Sequence, residues 1–244
     1  MKDNIPKIIH YCWFGGNEKS EFIKECMKTW KEFLPDYEII EWNEKNFDIN
    51  SNEFVKKSYE NKKWAFVSDY VRAHVIYNQG GIYLDTDVEI KKSLDEFLKH
   101  RAFTGFESQH TPFTAVFGAE KGHPWVKDIL EIYKQKVCMD ENGKFIASTN
   151  TMDVSELIIN KYGAKQNNKY QILKEDLHIY PNYYFCRPYG NKVYAIHHFE
   201  GTWITGKKKS IRNIVKFVFG RNIATRIMDI KSNIEFKIGI KKLK

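Results

Sequence analysis

Apolar and polar positions follow two alternating patterns along the first half of the chain. Short apolar runs typical of buried strands occupy three segments, residues 7–14, 37–42 and 82–88. Between them, apolar residues recur at helical spacing over three further segments, residues 19–33, 51–61 and 64–79. This order predicts an α/β domain in which helices cover the faces of a mostly parallel sheet.

The second half of the chain continues with both kinds of element. Strand-like runs occupy residues 102–106 and 113–119, and helical spacing covers 124–137 and 153–162. Short aromatic strands are predicted across residues 170–199. We find no internal repeat, so a repeat architecture is not indicated.

Basic residues are concentrated at the C-terminal end. The chain has 244 residues and a formal net charge of +8, but residues 207–244 alone hold 12 Lys or Arg and 2 Asp or Glu. The other 206 residues carry 27 basic and 29 acidic side chains, so they are nearly neutral. We therefore predict one domain over residues 1–206 and a separate basic tail over 207–244. A nucleic-acid partner is not indicated, since the domain has no basic stripe.

The basic tail also carries apolar residues at helical spacing: Ile211, Ile214, Val215, Val218, Ile223, Ile227, Ile230 and Ile234. Two interpretations stay open for this predicted amphipathic helix. It packs on the domain, or it lies on an anionic membrane surface. The N-terminus lacks the apolar core of a signal peptide, and four scattered cysteines suit a reducing compartment. We expect a cytoplasmic protein associated peripherally with the inner face of the cytoplasmic membrane.

Two aspartates, Asp85 and Asp87, follow the apolar run of the third predicted strand. Buried carboxylates are costly unless something compensates their charge, and ligands of such sheets bind beyond the carboxyl ends of strands. Carboxylate oxygens at this position suit a divalent cation that also binds phosphate oxygens. A calcium-binding loop is excluded, because Ile90 stands where that loop requires glycine.

Two other chemistries remain for the acidic pair. The run "YLDTDV" is similar to the haloacid dehalogenase phosphatase pattern, although the downstream acidic metal-binding pair of those enzymes is missing. The preceding helix offers another, because Asp69 and Arg72 are three residues apart and so share one helix face. They form either an ordinary surface ion pair or, at the strand-end crevice, a site for sugar hydroxyls and a phosphate.

The segment "FVSDYVRAHVIYNQGGIYLDTDV" resembles the D-x-D sugar-binding region of glycosyltransferase family 32. That region is shared by yeast initiating mannosyltransferase-like proteins and the large clostridial glucosylating toxins. Three further segments resemble other blocks of the family in the same order: "IPKIIHYCWFGG", "FGAEKGHP" and "HHFEGTW". The resemblance covers about residues 5–204. It implies a Rossmann-like GT-A fold, a nucleotide-diphospho-sugar donor, a Mn²⁺ or Mg²⁺ cofactor, and transfer with retention.

The resemblance assigns donor binding to seven side chains: Trp13, Ser68, Asp69, Arg72, Tyr83, Asp85 and Asn150. Trp13 is expected to stack on the nucleobase. Arg72 is expected to contact the sugar or diphosphate, and Tyr83 to bind near the phosphates. Trp13 and Tyr83 are equally well explained as packing residues, and Asn150 as a helix cap.

The resemblance also assigns the metal ligands. Asp87 is expected to bind the cation directly, and His198 is preferred as its partner. His197 is the rival, because adjacent residues of a strand face opposite sides and only one of them points inward. Four residues are expected to take part in catalysis: Asp69, Arg72, Asp85 and Trp203. We favour same-face attack assisted by the leaving phosphate, with Trp203 donating to that phosphate.

These expectations describe a hexosyltransferase that acts on a bacterial surface glycan, a capsular polysaccharide or a lipopolysaccharide. UDP-sugars are favoured over GDP-sugars, and UDP-galactose is the preferred donor. The acceptor is expected to be a glycan or a lipid-linked glycan. Two alternatives are retained, a haloacid dehalogenase-like phosphatase and a non-catalytic nucleotide-sugar binding protein at the membrane.

Overall fold

The computed structural model describes residues 4–142, 145–146, 148, 150–190, 192–200 and 230. Nine strands are formed in this part of the chain: β1 (Ile8–Cys12), β2 (Glu38–Trp42), β3 (Gly81–Leu84), β4 (Val88–Ile90), β5 (Ala102–Gly105), β6 (Val116–Ala119), β7 (Gln171–Ile172), β8 (Leu177–Tyr180) and β9 (Ala195–His197). Six α-helices accompany them: α1 (Glu21–Phe33), α2 (Glu53–Glu60), α3 (Trp64–Gln79), α4 (Pro124–Gln135), α5 (Asn150–Asn160) and α6 (Asn182–Phe185).

Seven of these strands form one mixed sheet in the order β2-β1-β3-β6-β5-β8-β7. β2, β1 and β3 are mutually parallel, and β5 is parallel to β8. β6 runs antiparallel to both β3 and β5, and β7 runs antiparallel to β8. The predicted α/β class is confirmed, with the mixed, mostly parallel sheet that the GT-A resemblance implies. The carboxyl ends of β1, β3 and β5 therefore meet at one edge of the sheet.

Two of the predicted strand regions differ from the structure. The run 82–88 is two strands, because a turn closed by a 3.0 Å hydrogen bond from the Val88 N–H to the Asp85 carbonyl separates β3 from β4. The region 170–199 is not all strand, since α6 lies within it. Pro181 ends β8, and its φ of −55° and missing N–H suit the position before a helix.

Helix α1 fixes the position of β4. Ser20 caps the helix by accepting a hydrogen bond from the Ile23 N–H at 3.3 Å. On the buried face, the Trp30 indole N–H donates to the Val88 carbonyl at 2.7 Å. The Thr29 hydroxyl accepts from the Ile90 N–H at 2.9 Å. β4 is thus held by side chains of α1 as well as by its pairing with β9.

A glycine pair lets α3 turn directly into β3. Gly80 and Gly81 have φ values of 74° and 107°, and a Cβ on Gly81 would lie 2.7 Å from the Ile8 carbonyl oxygen. The His10 imidazole braces this turn, with Nε2 lying 2.9 Å from the Gly80 carbonyl oxygen. The Trp42 indole donates to His10 Nδ1 at 3.0 Å. Both bonds are satisfied by neutral imidazole with its proton on Nε2.

The C-terminal tail falls almost entirely outside the described residues. Ile230 is its one described residue, and it is helical and 60% exposed. The domain boundary at residue 206 and the amphipathic tail therefore remain predictions. Among the described residues, no helix has the length and apolar character needed to cross a bilayer. All four cysteines are buried and none of them is joined in a disulfide, as expected.

We predict that His10 makes the protein acid-sensitive. Burial lowers the pKa of His10 to about 4, against 6.5 for an exposed imidazole. The neutral form is thus favoured by folding, so this stabilisation is complete above pH 6.5 and is lost as the pH falls towards 4. The loss should approach about 3 kcal/mol.

Urea unfolding of the wild type and of His10→Asn between pH 7.5 and 4 measures this effect. The variant should be less stable at pH 7.5 and should lose less free energy of unfolding on acidification. His110→Asn serves as the control, and it should keep the wild-type pH dependence. Parallel pH profiles for the wild type and His10→Asn would contradict the assignment.

Candidate active site

The acidic pair lies in the turn that joins β3 to β4. β3 ends at Leu84, and the Asp85 N–H donates to the Ala115 carbonyl at 3.1 Å, which continues the pairing with the β6 side by one residue. Asp85 and Asp87 are both half-buried. The turn therefore brings two carboxylates to the carboxyl edge of the sheet, the side at which ligands bind in such folds.

Arg72 compensates the charge on two of the site's carboxylates. From the middle of α3 its Nη2 lies 2.6 Å from Asp69 Oδ1, and its Nη1 lies 3.5 Å from Asp85 Oδ1. The guanidinium also covers the Tyr83 ring at 4.8 Å from the centroid. Asp69 and Arg72 are each only 8% exposed, so this is not the ordinary surface pair that was the alternative.

The pKa values of this group reflect burial and shared charge. Burial opposes the positive charge of Arg72, but Asp85, Tyr83 and Asp69 outweigh it and raise the Arg72 pKa. Burial raises the pKa of Asp69 to about 6, against the opposing effect of Arg72. The Arg72 guanidinium interacts with two acids, so its lowering effect on the Asp69 pKa does not fully offset the raising effect of burial.

A second group combines the aspartates with a histidine from the distant strand β9. Ligand atoms of Asp85, Asp87 and His197 all lie within 4.8 Å of one another. His197 Nε2 is 3.4 Å from Asp87 Oδ1, and the Glu200 N–H donates to Asp87 Oδ2 at 2.7 Å. Two carboxylates and one imidazole form a nitrogen and oxygen donor set that fits Mn²⁺ or Mg²⁺.

Charge in this second group is arranged as a divalent cation requires. Burial opposes ionisation of Asp87, but His197 and the Glu200 N–H outweigh it and hold the Asp87 pKa well below its usual range. Burial likewise opposes protonation of His197, and Asp87 outweighs it and raises the His197 pKa. A bound cation would displace a proton from His197, because ligating imidazole is neutral.

The pairing of β9 with β4 decides which histidine faces the aspartates. Val88 is opposite His197, so their side chains share one face of the β4–β9 pair, and on that face the His197 imidazole reaches the Asp87 carboxylate. His198 faces the other side, where Nε2 lies 3.0 Å from Glu89 Oε2 and the ring meets Phe22 edge-on at 5.0 Å. The two histidines point to opposite sides, and His197, not the preferred His198, is the one beside the aspartates. Metal binding by His197 is therefore the prediction that this geometry favours.

The remaining predicted residues occupy different positions around this centre. Trp13 follows β1 at the same edge, with Lys19 Nζ 5.1 Å from its ring and its indole N–H donating to the Asn17 carbonyl at 2.6 Å. The Ser68 hydroxyl donates to the Trp64 carbonyl at 3.0 Å within α3. Tyr83 is only 2% exposed, which supports its packing role more than direct phosphate contact.

The described contacts do not connect two of the predicted residues, Asn150 and Trp203, to this centre. Asn150 is the first residue of α5 and 4% exposed, and its side-chain amide donates to the Tyr133 hydroxyl at 2.5 Å. Burial raises the pKa of Tyr133, and the charge of Asp69 adds to that effect. Trp203 lies outside the described residues, so its role at the leaving phosphate stays a prediction.

Sequence reasoning missed one acid of the site, Glu107. It follows β5 by two residues, and the charges that act on its carboxylate include those of His197, Arg187, Asp85 and Asp87. Burial is the main cause of its raised pKa. A signal was present, since an acid directly after the predicted strand 102–106 occupies the same kind of position as Asp85.

Comparison with known proteins agrees with this geometry. Residues 20–104 match the family model described as "Glycosyltransferase sugar-binding region containing DXD motif". This part of the chain is thus similar to the sugar-binding region of DXD-containing glycosyltransferases. It contains the face of α3 with Asp69 and Arg72, the strand β3, and both aspartates of the turn.

The proteins that this chain matches include named enzymes. The chain is 32% identical over 137 residues to "Inositol phosphoceramide mannosyltransferase 3" of Schizosaccharomyces pombe, covering 52% of this chain and 36% of that protein. It is 30% identical over 138 residues to "Mannosyl phosphorylinositol ceramide synthase SUR1" of Saccharomyces cerevisiae, covering 53% and 35%. The matches thus span about a third of the length of these relatives. The solved structure "PaToxG Glycosyltransferase" aligns with a TM-score of 0.46 at 18% identity, over 65% of this chain and 70% of that one.

The placement of the two histidines yields a direct prediction. His197→Ala should weaken Mn²⁺ binding at least about 10-fold, because it removes a ligand from the buried group. His198→Ala should change Mn²⁺ affinity less than about 3-fold, since its contacts are with Glu89 and Phe22. Titration of Mn²⁺ followed by electron paramagnetic resonance measures both variants. A larger loss for His198→Ala would restore His198 as the ligand.

Proposed function

We propose that the protein is a metal-dependent glycosyltransferase that moves a hexose from a nucleotide sugar to a hydroxyl group of an acceptor. One observation carries the proposal. Within a matched glycosyltransferase region, the Arg72 pair and the Asp85–Asp87–His197 group occupy one edge of the sheet. This arrangement offers acids and a guanidinium for sugar and phosphate beside a donor set for a divalent cation.

Each group has a distinct task in this proposal. A divalent cation, Mn²⁺ or Mg²⁺, would be held by Asp87 and His197 with Asp85 beside them, and would offset the negative charge of the departing diphosphate. Arg72 holds Asp85 in place and presents its remaining N–H groups to the donor. Asp69 accepts hydrogen bonds from donor hydroxyls. Trp13 stacks on the base. Lys19 lies over the Trp13 ring, and its positive charge suits binding of a donor phosphate.

The stereochemical course follows from the family resemblance. We propose transfer with retention, by attack on the same face as the departing phosphate, whose oxygen takes the proton of the attacking hydroxyl. Asp69 is buried against Arg72, which leaves it suited to hydrogen bonding rather than to nucleophilic attack. A glycosyl adduct trapped on Asp69 would contradict this course.

Two donors compete for the proposed reaction. The sequence favours uridine as the base of the donor, because a flat pyrimidine stacks well on tryptophan. Galactose is the sugar that the sequence analysis favours for the same donor. The named relatives are mannosyltransferases. Their names favour mannose, so we propose mannose as the first sugar to test and galactose as the second.

The acceptor is proposed to be presented at a membrane. The named relatives act on inositol phosphoceramide or make a mannosylated phosphorylinositol ceramide. A lipid-linked surface glycan, as expected from the sequence, shares with these lipids a polyol head group at a bilayer surface. The basic tail over residues 207–244 would place the site at such a surface.

Calorimetric titration of UDP and GDP, with and without Mn²⁺, tests the proposed function. Binding of one nucleotide should require Mn²⁺ and should weaken more than about 10-fold in Asp87→Ala, since that carboxylate belongs to the buried group. Asp36→Ala is the control, because Asp36 is exposed and remote from the site residues in sequence. Slow hydrolysis of the matching nucleotide sugar then identifies the hexose.

Each other outcome of the titration has a defined meaning. Failure of both nucleotides to bind with Mn²⁺ would contradict the glycosyltransferase proposal. Nucleotide binding without hydrolysis or transfer of any nucleotide sugar would indicate a non-catalytic binding protein. Phosphate release from simple monoesters, lost in Asp85→Asn, would instead favour the phosphatase alternative.

The membrane role of the tail has its own test. The full chain should float with vesicles that contain anionic lipid, and a variant lacking residues 207–244 should float at least about 10-fold less, because the deletion removes 12 basic side chains. Vesicles of neutral lipid provide the control. Equal flotation of both proteins with anionic vesicles would show that the tail does not attach the enzyme.

A further inference from the structure

Glu107 lies at the same carboxyl edge of the sheet as the acidic turn. Tyr83 of β3 and Thr104 of β5 both oppose Phe117 of β6, so the two strands run side by side with β6 between them. Asp85 directly follows the end of β3, and Glu107 follows the end of β5 by two residues. Both acids therefore stand at the strand ends of one edge, on either side of β6.

The backbone around Glu107 is held from both sides. Its N–H donates to the Thr111 carbonyl at 2.9 Å. Its carbonyl accepts from the Cys186 thiol at 3.5 Å, and the Cys186 carbonyl in turn accepts from the His197 N–H at 3.1 Å. Two bonded steps thus connect Glu107 to the histidine of the metal-binding group.

The carboxylate of Glu107, in contrast, has no hydrogen bond or salt bridge among the described residues. The other acids of the site all have one: Asp69 and Asp85 share Arg72, and Asp87 contacts His197 and the Glu200 N–H. Glu107 is half-buried, and its carboxylate oxygens are not closed off from solvent. A ligand that brings hydrogen-bond donors could therefore reach them and take the place of water.

The position of Glu107 excludes several kinds of ligand. A phosphate is disfavoured, because three carboxylates, Glu107, Asp85 and Asp87, act here against two positive groups, His197 and Arg187. Direct coordination of the proposed cation is not indicated, because the compact group of ligand atoms consists of Asp85, Asp87 and His197. The base of the donor is assigned to Trp13, on the β1 side of β3, whereas Glu107 lies on the β5 side.

What remains is a neutral ligand rich in hydroxyl groups. Ionised carboxylates accept up to four hydrogen bonds, and charge-assisted bonds from hydroxyls are short and strong. The neighbouring loop is polar as well, since the Ser108 and Thr111 hydroxyls lie 2.8 Å apart. The β5 edge thus offers hydrogen-bonding groups opposite the proposed donor side.

We propose that Glu107 binds the acceptor, its carboxylate accepting hydrogen bonds from hydroxyl groups of a cyclic polyol. The acceptor approaches from the β5 side while the nucleotide sugar occupies the β1 and β3 side. This inference rests on the proposed function, since it requires a donor in the neighbouring half of the site. It adds a catalytic residue to the β5 edge, where the family match over residues 20–104 has ended.

The test uses the full chain with saturating Mn²⁺ and the nucleotide that the wild type binds. Saturation-transfer nuclear magnetic resonance measures binding of two probe sets, methyl glycosides of hexoses and myo-inositol. Glu107→Gln keeps the shape but loses the charge. Its affinity for the polyol that the wild type binds should fall at least 10-fold, and its nucleotide affinity should stay within 2-fold. With that polyol as acceptor, the apparent KM should rise more than kcat falls.

Glu120→Gln is the matched control. It removes one charge at the opposite edge of the sheet, where Glu120 pairs with Arg101 at 2.7 Å, and it should leave polyol binding and transfer unchanged. Circular dichroism of each variant confirms folding, and Glu107→Asp provides a second variant that keeps the charge and should retain part of the affinity.

The outcomes separate this inference from the proposed function. If the wild type fails to bind any nucleotide with Mn²⁺, the proposed function fails first. If the nucleotide binds but no polyol does, or if Glu107→Gln binds the polyol as well as the wild type, only the acceptor role is overturned. A parallel loss of Mn²⁺ and nucleotide affinity in Glu107→Gln would assign Glu107 to the metal site instead.

Discussion

The site depends on one guanidinium that is shared between two elements. Arg72 reaches Asp69 on its own helix and Asp85 beyond β3, so it bonds α3 to the turn that carries the acidic pair. A buried carboxylate without such a partner would take up a proton and lose its charge, or it would destabilise the fold. With Arg72 in place, Asp85 is held at the strand end and Asp69 on the helix beside it.

Around this interaction the sheet divides the site into two sides. β1 and β3 present Trp13, Asp85 and Asp87, while β5 presents Glu107. The antiparallel strand β6 lies between these two sides and separates them by its own width. A two-substrate reaction requires such a separation, because each substrate needs contacts of its own and the reacting atoms must meet between them.

Local sequence patterns predicted most of the fold, and they predicted the half of the site that is local in sequence. The spacing of Asp69, Arg72, Asp85 and Asp87 spans one helix and one strand, so helical and strand periodicity suffice to bring them together. The choice between His197 and His198 depends on the register of β9 against β4, and nothing local fixes that register. Glu107 was missed for a related reason, since its distance from Asp85 depends on the order of strands in the sheet.

The pairing of β4 with β9 also has a consequence for how the protein is made. Asp87 and His197 are separated by more than 100 residues of chain, and the two strands that join them are three residues long each. During synthesis the N-terminal sheet with its acidic turn emerges well before β9. The nascent domain therefore carries Asp85, Asp87 and Arg72 before it carries their histidine. The proposed cation would find its full set of ligands only once β9 has paired with β4, so Mn²⁺ binding would report that this late pairing has formed.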